Sequence, residues 1–198
     1  MVTVAAWEDL RLPNGNAKLL RGFLAAKEAA ALFAQLHEVV PWRHDTIRVY
    51  GREHPLPRLQ QWFGDPERSY TWSGIEMQPL PWTPVLRVLR DRVADAVGAA
   101  FNSVLLNLYR NGHDTVGWHA DDEPELGSTP TIASVSLGAE RDFALRRKDR
   151  AGDSVVVPLP PGSLLVMSGA TQANWQHALP RRKRVQRARI NLTFRHVG

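Results

Sequence analysis

The stretch "GWHADDE" places His119 and Asp121 two residues apart, so on an extended chain both side chains project to the same side. A third candidate of the same chemistry, His177, lies in "NWQHALP". The chain has no cysteine, so disulfides and thiolate metal sites are excluded and any metal must use His, Asp or Glu. Two histidines and one carboxylate fit the facial triad that holds non-haem Fe(II) and leaves positions open for substrate and oxygen. Zinc held by the same set is an alternative. A His-x-Asp pair alone is commonplace in surface turns, so its meaning depends on its company.

That company is "RARINLTFR", which begins close behind His177. Read as a strand, it puts Ile190, Leu192 and Phe194 on one face and Arg189, Asn191, Thr193 and Arg195 on the other. Arginine forks pair with carboxylates in bidentate fashion and are costly to bury unpartnered. Turned into a barrel, this row needs an anion inside, and a dicarboxylate co-substrate would explain it. Turned outward, it is only a solvated face.

The elements that must position these residues follow from pattern and punctuation. With 198 residues, 43% of them hydrophobic, the chain can bury a core of ordinary size, and a single domain over residues 1–198 is expected. "LAAKEAAALFAQLHEVV" reads as an amphipathic helix with Leu24, Leu32, Leu36 and Val39 near one stripe, ending before Pro41. A second helix, "VLRVLRDRVADAVGAAF", follows Pro84 with Val85, Leu89, Val93 and Val97 at helical spacing. Between them, residues 42–84 mix aromatics, prolines and charges without sustained periodicity, which reads as a long, loop-rich surface segment of the kind that carries binding function.

From Ser103 onward short apolar runs alternate with turns: "SVLLNLY", "TIASVSLG", "DFALRR", "SVVVPL", "SLLVMSG" and the polar-rowed strand itself. Helices first and strands later point to an α+β fold, with helices backing a double-stranded β-helix, or jelly-roll, core. The net charge of +5 favours a polyanionic partner such as nucleic acid. No window approaches the roughly 20 apolar residues of a membrane span, and the N-terminus lacks a basic region followed by a long apolar run. A soluble, cytoplasmic monomer without a membrane partner is expected.

The motifs "NLYRNGHDTVGWHADDE", "IASVSLGAERDFALRRK", "PPGSLLVMSG", "NWQHALP" and "RINLTFR" together resemble the AlkB family of Fe(II)/2-oxoglutarate-dependent alkylated-nucleic-acid dioxygenases. "VYG", "SYTWSG" and "PWTPVL" are most similar to the branch acting on duplex and single-stranded nucleic acid. The resemblance implies that His119, Asp121 and His177 hold Fe(II) as catalytic residues. It further implies that Arg195 binds the iron-chelating end of 2-oxoglutarate, and that Arg189 and Tyr109 hold its distal carboxylate. Asn107, Asn191 and Thr193 would complete the polar cup.

For the substrate, the resemblance makes residues 42–84 a nucleotide-recognition lid. Tyr70 and Trp72 would sandwich an extruded base against the ring of His119. Asp122 and Glu123 would sit near the exocyclic groups of a cationic methylated base. Tyr50 would wedge into the duplex where the base left, and Arg58 would brace the pocket or touch phosphate. The run "RRKRVQRAR" would add phosphate contacts. The implied activity, using Fe(II), 2-oxoglutarate and O2, is oxidative demethylation of bases such as N1-methyladenine or N3-methylcytosine in DNA, or in RNA, with release of formaldehyde. Alternatives are an oxygenase for RNA, protein or a small molecule, and a non-catalytic module that recognises damaged nucleic acid.

Overall fold

The computed structural model describes residues 6–49, 52–66, 70–72 and 75–198. Its elements in chain order are β1 (Trp7–Asp9), β2 (Asn16–Leu20), α1 (Ala26–Val39), β3 (Thr46–Val49), β4 (Arg52–Pro55), β5 (Leu59–Gly64), β6 (Tyr70–Trp72), β7 (Ile75–Met77), β8 (Leu80–Pro81) and α2 (Pro84–Val97). There follow β9 (Ser103–Tyr109), β10 (Val116–His119), β11 (Ile132–Gly138), β12 (Arg141–Arg147), β13 (Val155–Leu159), β14 (Leu164–Ser168), α3 (Thr171–Asn174), β15 (Trp175–Leu179) and β16 (Arg189–Arg195).

Eight strands form a major sheet in the order β1-β2-β14-β11-β16-β9-β5-β8, and four form a minor sheet in the order β10-β15-β12-β13. From β9 onward the chain crosses back and forth between the two sheets, which is the winding of the expected jelly-roll core. One apolar cluster fills the space between the outer face of the major sheet and the two long helices, joining Leu106, Val135, Ile190, Leu192 and Phe194 to Leu36, Leu86, Leu89 and Val93. A second lies between the sheets and includes Leu19, Ile132, Phe143, Leu145, Leu165 and Trp175. The alternation along β16 is therefore decided by its two neighbours: the apolar face meets the helices and the polar row looks between the sheets.

The helices form where the sequence predicts them, with sharper ends. Thr83 caps α2, its hydroxyl accepting from Leu86 N at 3.3 Å, and Pro84 starts the helix without needing an N–H partner. Gly98 at φ 72° ends α2 at Val97, so the last residues of the predicted run, through Phe101, are not helical. In α1 the buried stripe is Ala29, Leu32 and Leu36 and passes to Val40 just beyond the helix, whereas Val39, expected in the stripe, is 59% exposed. The four-residue step from Leu36 lands on Val40, and Pro41 bars further turns.

One expectation about the first half of the chain needs correction. Residues 42–84 are not a surface segment throughout: β5 is buried from Gln60 to Gly64 and pairs with β9 inside the major sheet. Its run "LQQWFG" shows no alternation because both of its faces are covered, so periodicity gave no signal. The N-terminal arm, in turn, extends the major sheet through β1 and β2 and brackets α3. Asn16 N donates to Thr171 Oγ1 at 2.8 Å, Asn174 Nδ2 to Asn14 O at 2.9 Å and Trp175 Nε1 to Pro13 O at 3.0 Å.

The turn after β9 is locked to the chain before β16. Gly112 N donates to Val185 O at 2.7 Å, and Arg182 N donates to Gly112 O at 2.8 Å. A Cβ on Gly112 would fall 1.8 Å from Arg182 O, a backbone atom that cannot step aside alone. Gly112→Ala should therefore lower stability by about 2–3 kcal/mol, the usual cost of forcing an extra carbon into a packed site. The urea midpoint measures it, and an unchanged midpoint would contradict this close approach.

Candidate active site

Strand β16 lies between β11 and β9, and the register decides what its polar row meets. Arg189 is opposite Tyr109 on β9, and Asn191 is opposite Asn107 on β9 and Ser136 on β11. Thr193 faces Ser134. All four residues of the row are sunk between the sheets, with Arg189 only 2% exposed. Backbone and hydroxyl partners satisfy the middle of the row: Asn191 Nδ2 donates to Ser134 Oγ at 2.6 Å and to Val135 O at 3.2 Å, and Thr193 Oγ1 donates to Asn191 Oδ1 at 3.0 Å.

The minor sheet brings in the two histidines of the candidate metal cluster. His119 ends β10 and pairs across the ladder with His177 on β15, while Asp121 follows two residues later. One ligand atom from each of the three lies within 4.8 Å of the other two. His119 Nδ1 donates to Gly117 O at 2.8 Å, which leaves the Nε2 lone pair directed toward Asp121, 3.8 Å away. The ring of His177 stacks on Phe143 with centroids 5.2 Å apart, and Gln172 Oε1 accepts from Asp121 N at 2.9 Å. Two imidazoles and a carboxylate on one side of a cavity suit a divalent iron with open positions.

Electrostatics divide the site into two ends. At the triad, burial works against the charge of Asp121, but Arg195, His177 and His119 outweigh it and hold the carboxyl down at about 2. Arg195 Nη2 lies 3.0 Å from Asp121 Oδ2 and its Nε 3.3 Å away. Burial and the neighbouring His119 push His177 down to about 3, keeping it neutral and able to ligate. At the other end, burial lowers Arg189 to about 10, and no carboxylate pairs with it among the described residues. Its Nη2 donates to Ser136 Oγ at 2.9 Å, its guanidinium lies 5.5 Å from the Tyr109 ring centre, and its Nε has no partner among the described residues. A buried, uncompensated fork beside a phenol is a fit for a carboxylate.

Most residues singled out in the sequence meet here. Arg58, Asn107, Tyr109, His119, Asp121, His177, Arg189, Asn191, Thr193 and Arg195 line one cavity. Arg58 is 4% exposed and its Nε donates to Asn107 Oδ1 at 2.8 Å in the cavity wall. Asp122 stands at the rim, half exposed, paired with Lys148 Nζ at 2.7 Å. Glu123 is half-buried, with Oε2 unpartnered among the described residues. Tyr50 lies outside the described residues; the backbone of Tyr70 and Trp72 runs in β6, and their side chains lie outside what is described.

Several residues that shape the site escape a reading of the sequence. Ser134 and Ser136 had one available signal, two hydroxyls two apart in an apolar strand, which places them on a single face. Gln172 had none, because a four-residue helix with one amide resembles any surface turn.

With this geometry in hand, comparison with known proteins is informative. The profile of the 2OG-Fe(II) oxygenase superfamily matches residues 16–195. The chain is 47% identical over 196 residues to the human alpha-ketoglutarate-dependent dioxygenase alkB homolog 3, covering 93% of this chain and 68% of that protein. It is 44% identical over 180 residues to the human DNA oxidative demethylase ALKBH2, covering 86% and 69%. The protein belongs to the 2OG-Fe(II) oxygenase superfamily and, within it, to the AlkB family. A solved structure, that of OsALKBH1, superposes with a TM-score of 0.69 at 19% identity over 96% of this chain and 100% of the other, showing the shared fold. As members of this family do, the protein is a dioxygenase that requires Fe(II), 2-oxoglutarate and O2.

The buried triad makes the metal-free protein acid-sensitive. Unfolded His177 takes up a proton near 6.5, and folded His177 does so only near 3, so its contribution to stability is complete above 6.5 and is lost as pH falls toward 3. Asp121 acts with the same sign lower down, between 3.8 and about 2. The urea midpoint of metal-free protein should fall between about pH 7 and about pH 5, and His177→Gln should flatten that slope. A slope that His177→Gln leaves intact would contradict the assigned burial.

Proposed function

We propose that this protein repairs N-alkylated bases in nucleic acid, removing methyl groups such as that on N1 of adenine or N3 of cytosine, with DNA as the principal substrate and RNA as the alternative. The carrying observation is the meeting, in one cavity, of a His-Asp-His cluster with a buried arginine that has no carboxylate partner among the described residues. In this reading His119, Asp121 and His177 hold the iron. Arg195 serves the end of 2-oxoglutarate nearest the metal, and Arg189 with Tyr109 serves its far carboxylate, with Asn107, Asn191 and Thr193 between. Bound together, iron, 2-oxoglutarate and O2 supply an oxidation that hydroxylates the N-linked alkyl carbon, after which the base is released with loss of formaldehyde.

The chain's own residues do the rest. Arg195 holds Asp121 ionised and in place, and the Gly117 carbonyl fixes the ring of His119. Phe143, Leu105 and Met167 line the cavity beside these groups and keep water from the reacting carbon. His119, the most open member of the cluster, faces the side from which an extruded base would arrive, with Tyr70 and Trp72 as the stacking partners and Tyr50 as the wedge. Asp122, once released from Lys148, and Glu123 would favour a cationic methylated ring.

The substrate class is supported by the human relatives, one of them named a DNA oxidative demethylase, and by a basic surface. Arg181, Lys183, Arg184 and Arg187 are exposed on a loop held by the Gly112 contacts, and Arg182 is tied to Asp142. Such a rigid cationic rim suits phosphate contacts that do not depend on sequence. In this reading residues 1–198 act as one catalytic domain, working as a monomer, and the hairpins of residues 42–84 outside β5 form the lid.

The test is turnover of an oligonucleotide carrying one N1-methyladenine, with formaldehyde and the restored base read by mass spectrometry. Restoration should require both iron and 2-oxoglutarate and vanish in Asp121→Ala, while oligonucleotide affinity stays within about twofold, since affinity comes mainly from phosphate contacts. Trp72→Ala should weaken repair far more than 2-oxoglutarate binding. Succinate formation without base restoration would retain the oxygenase and overturn the substrate.

A further inference from the structure

Arg141, within the run "IASVSLGAERDFALRRK", is 2% exposed and among the largest fully buried side chains. It opens β12 on the inward face shared with Phe143 and Leu145, after the turn at Gly138. Its Nη1 donates to Asn111 O at 3.1 Å, and its Nη2 donates to Asp114 O at 3.0 Å and Pro180 O at 2.8 Å. Three carbonyls on two separate segments, the turn after β9 and the end of β15, are thereby drawn around one guanidinium. Its Nε has no partner among the described residues.

Charge makes this arrangement more than a staple. Arg141 forms no ion pair among the described residues: the nearby Asp114 is engaged by Arg110, and Asp142 by Arg182. Its guanidinium lies 5.9 Å from the ring centre of Tyr109, and that of Arg189 lies 5.5 Å from the same ring. Two buried cations without carboxylates among the described residues therefore lie beside one phenol, and that phenol and Arg189 line the cavity. Burial of one uncompensated charge is already expensive, and a second is tolerated only where its carbonyl partners, or an arriving anion, repay it.

We propose that Arg141 is a positioning residue for the distal carboxylate of the co-substrate, and a determinant of the preference for a dicarboxylate 2-oxoacid. It acts by fixing Tyr109 against Arg189 and by adding a second positive charge behind them. This rests on the assignment of Arg189 and Tyr109 to that carboxylate. Arg141 is not among the residues that line the cavity beside the His-Asp-His cluster, so its effect should be confined to the ligand end that Tyr109 and Arg189 hold. A merely structural arginine would instead change every binding reaction in proportion to lost stability.

The experiment is calorimetric titration of the iron-loaded protein, kept anaerobic, with 2-oxoglutarate and with 2-oxobutyrate, which lacks the distal carboxylate. Wild type should favour 2-oxoglutarate strongly. Arg141→Met should lose about tenfold or more in 2-oxoglutarate affinity, as removal of an outer-shell partner commonly does. Its 2-oxobutyrate and oligonucleotide affinities should stay within about twofold, because neither ligand uses that end. Arg141→Lys, which keeps the charge and loses the fork, should fall between the two. If Arg141→Met does not fold, the ratio of the two affinities in Arg141→Lys decides the matter. Equal losses for both oxoacids, or no loss in a folded variant, would overturn the proposal. A wild type that does not distinguish the two acids would instead overturn the underlying assignment of Arg189 and Tyr109.

Discussion

A strand in the middle of a sheet covered on both sides cannot leave a polar side chain to water, and that constraint on β16 organises this protein. Each group in the inward row must find its partner inside the protein or in a ligand. Asn191 and Thr193 are answered by Ser134, by the Val135 carbonyl and by each other, and Arg195 by Asp121. Arg189 has a hydroxyl and an aromatic ring but no carboxylate among the described residues. Arg189 is thus a member of the buried polar row that the described residues leave incompletely answered.

The opposite face of the same strand makes that arrangement sustainable. Ile190, Leu192 and Phe194 are fully buried against α1 and α2. Each such side chain contributes roughly 2 kcal/mol relative to exposure, which offsets part of the cost of the charged row behind it. One strand therefore serves as core and as site, and substitutions on its two faces act on different properties. The helices cover the apolar face of the major sheet, so that its other face can be polar.

The minor sheet meets this row with a different kind of support. His119 and His177 are ladder neighbours, so their convergence follows from strand pairing, whereas Asp121 lies past the strand and is placed by Arg195 and Gln172. The N-terminal arm reaches across to hold α3 and Trp175 just before His177. Exposure grades across the cavity, from the Asp122 side chain at 55% through His119 at 28% to Asp121 at 3%. That gradient runs from the protein surface to the buried carboxylate of the His-Asp-His cluster.

The sequence by itself determined the chemistry. His-x-Asp, a later His, and arginines six apart on one strand face were legible because residue type and a period of two fix which side chains travel together, and the resemblance to AlkB proteins rested on those spacings. The two helices were legible too, since their periodicity and punctuation are local. Only the tertiary structure decided which way each strand faced and what lay opposite. The burial of β5, the exposure of Val39, the pairing of Arg195 with Asp121 and the positions of Ser136, Gln172 and Arg141 all depend on contacts between segments far apart in the chain. A buried arginine bonded to carbonyl groups leaves no trace in composition or periodicity, because its partners are backbone atoms that every residue carries.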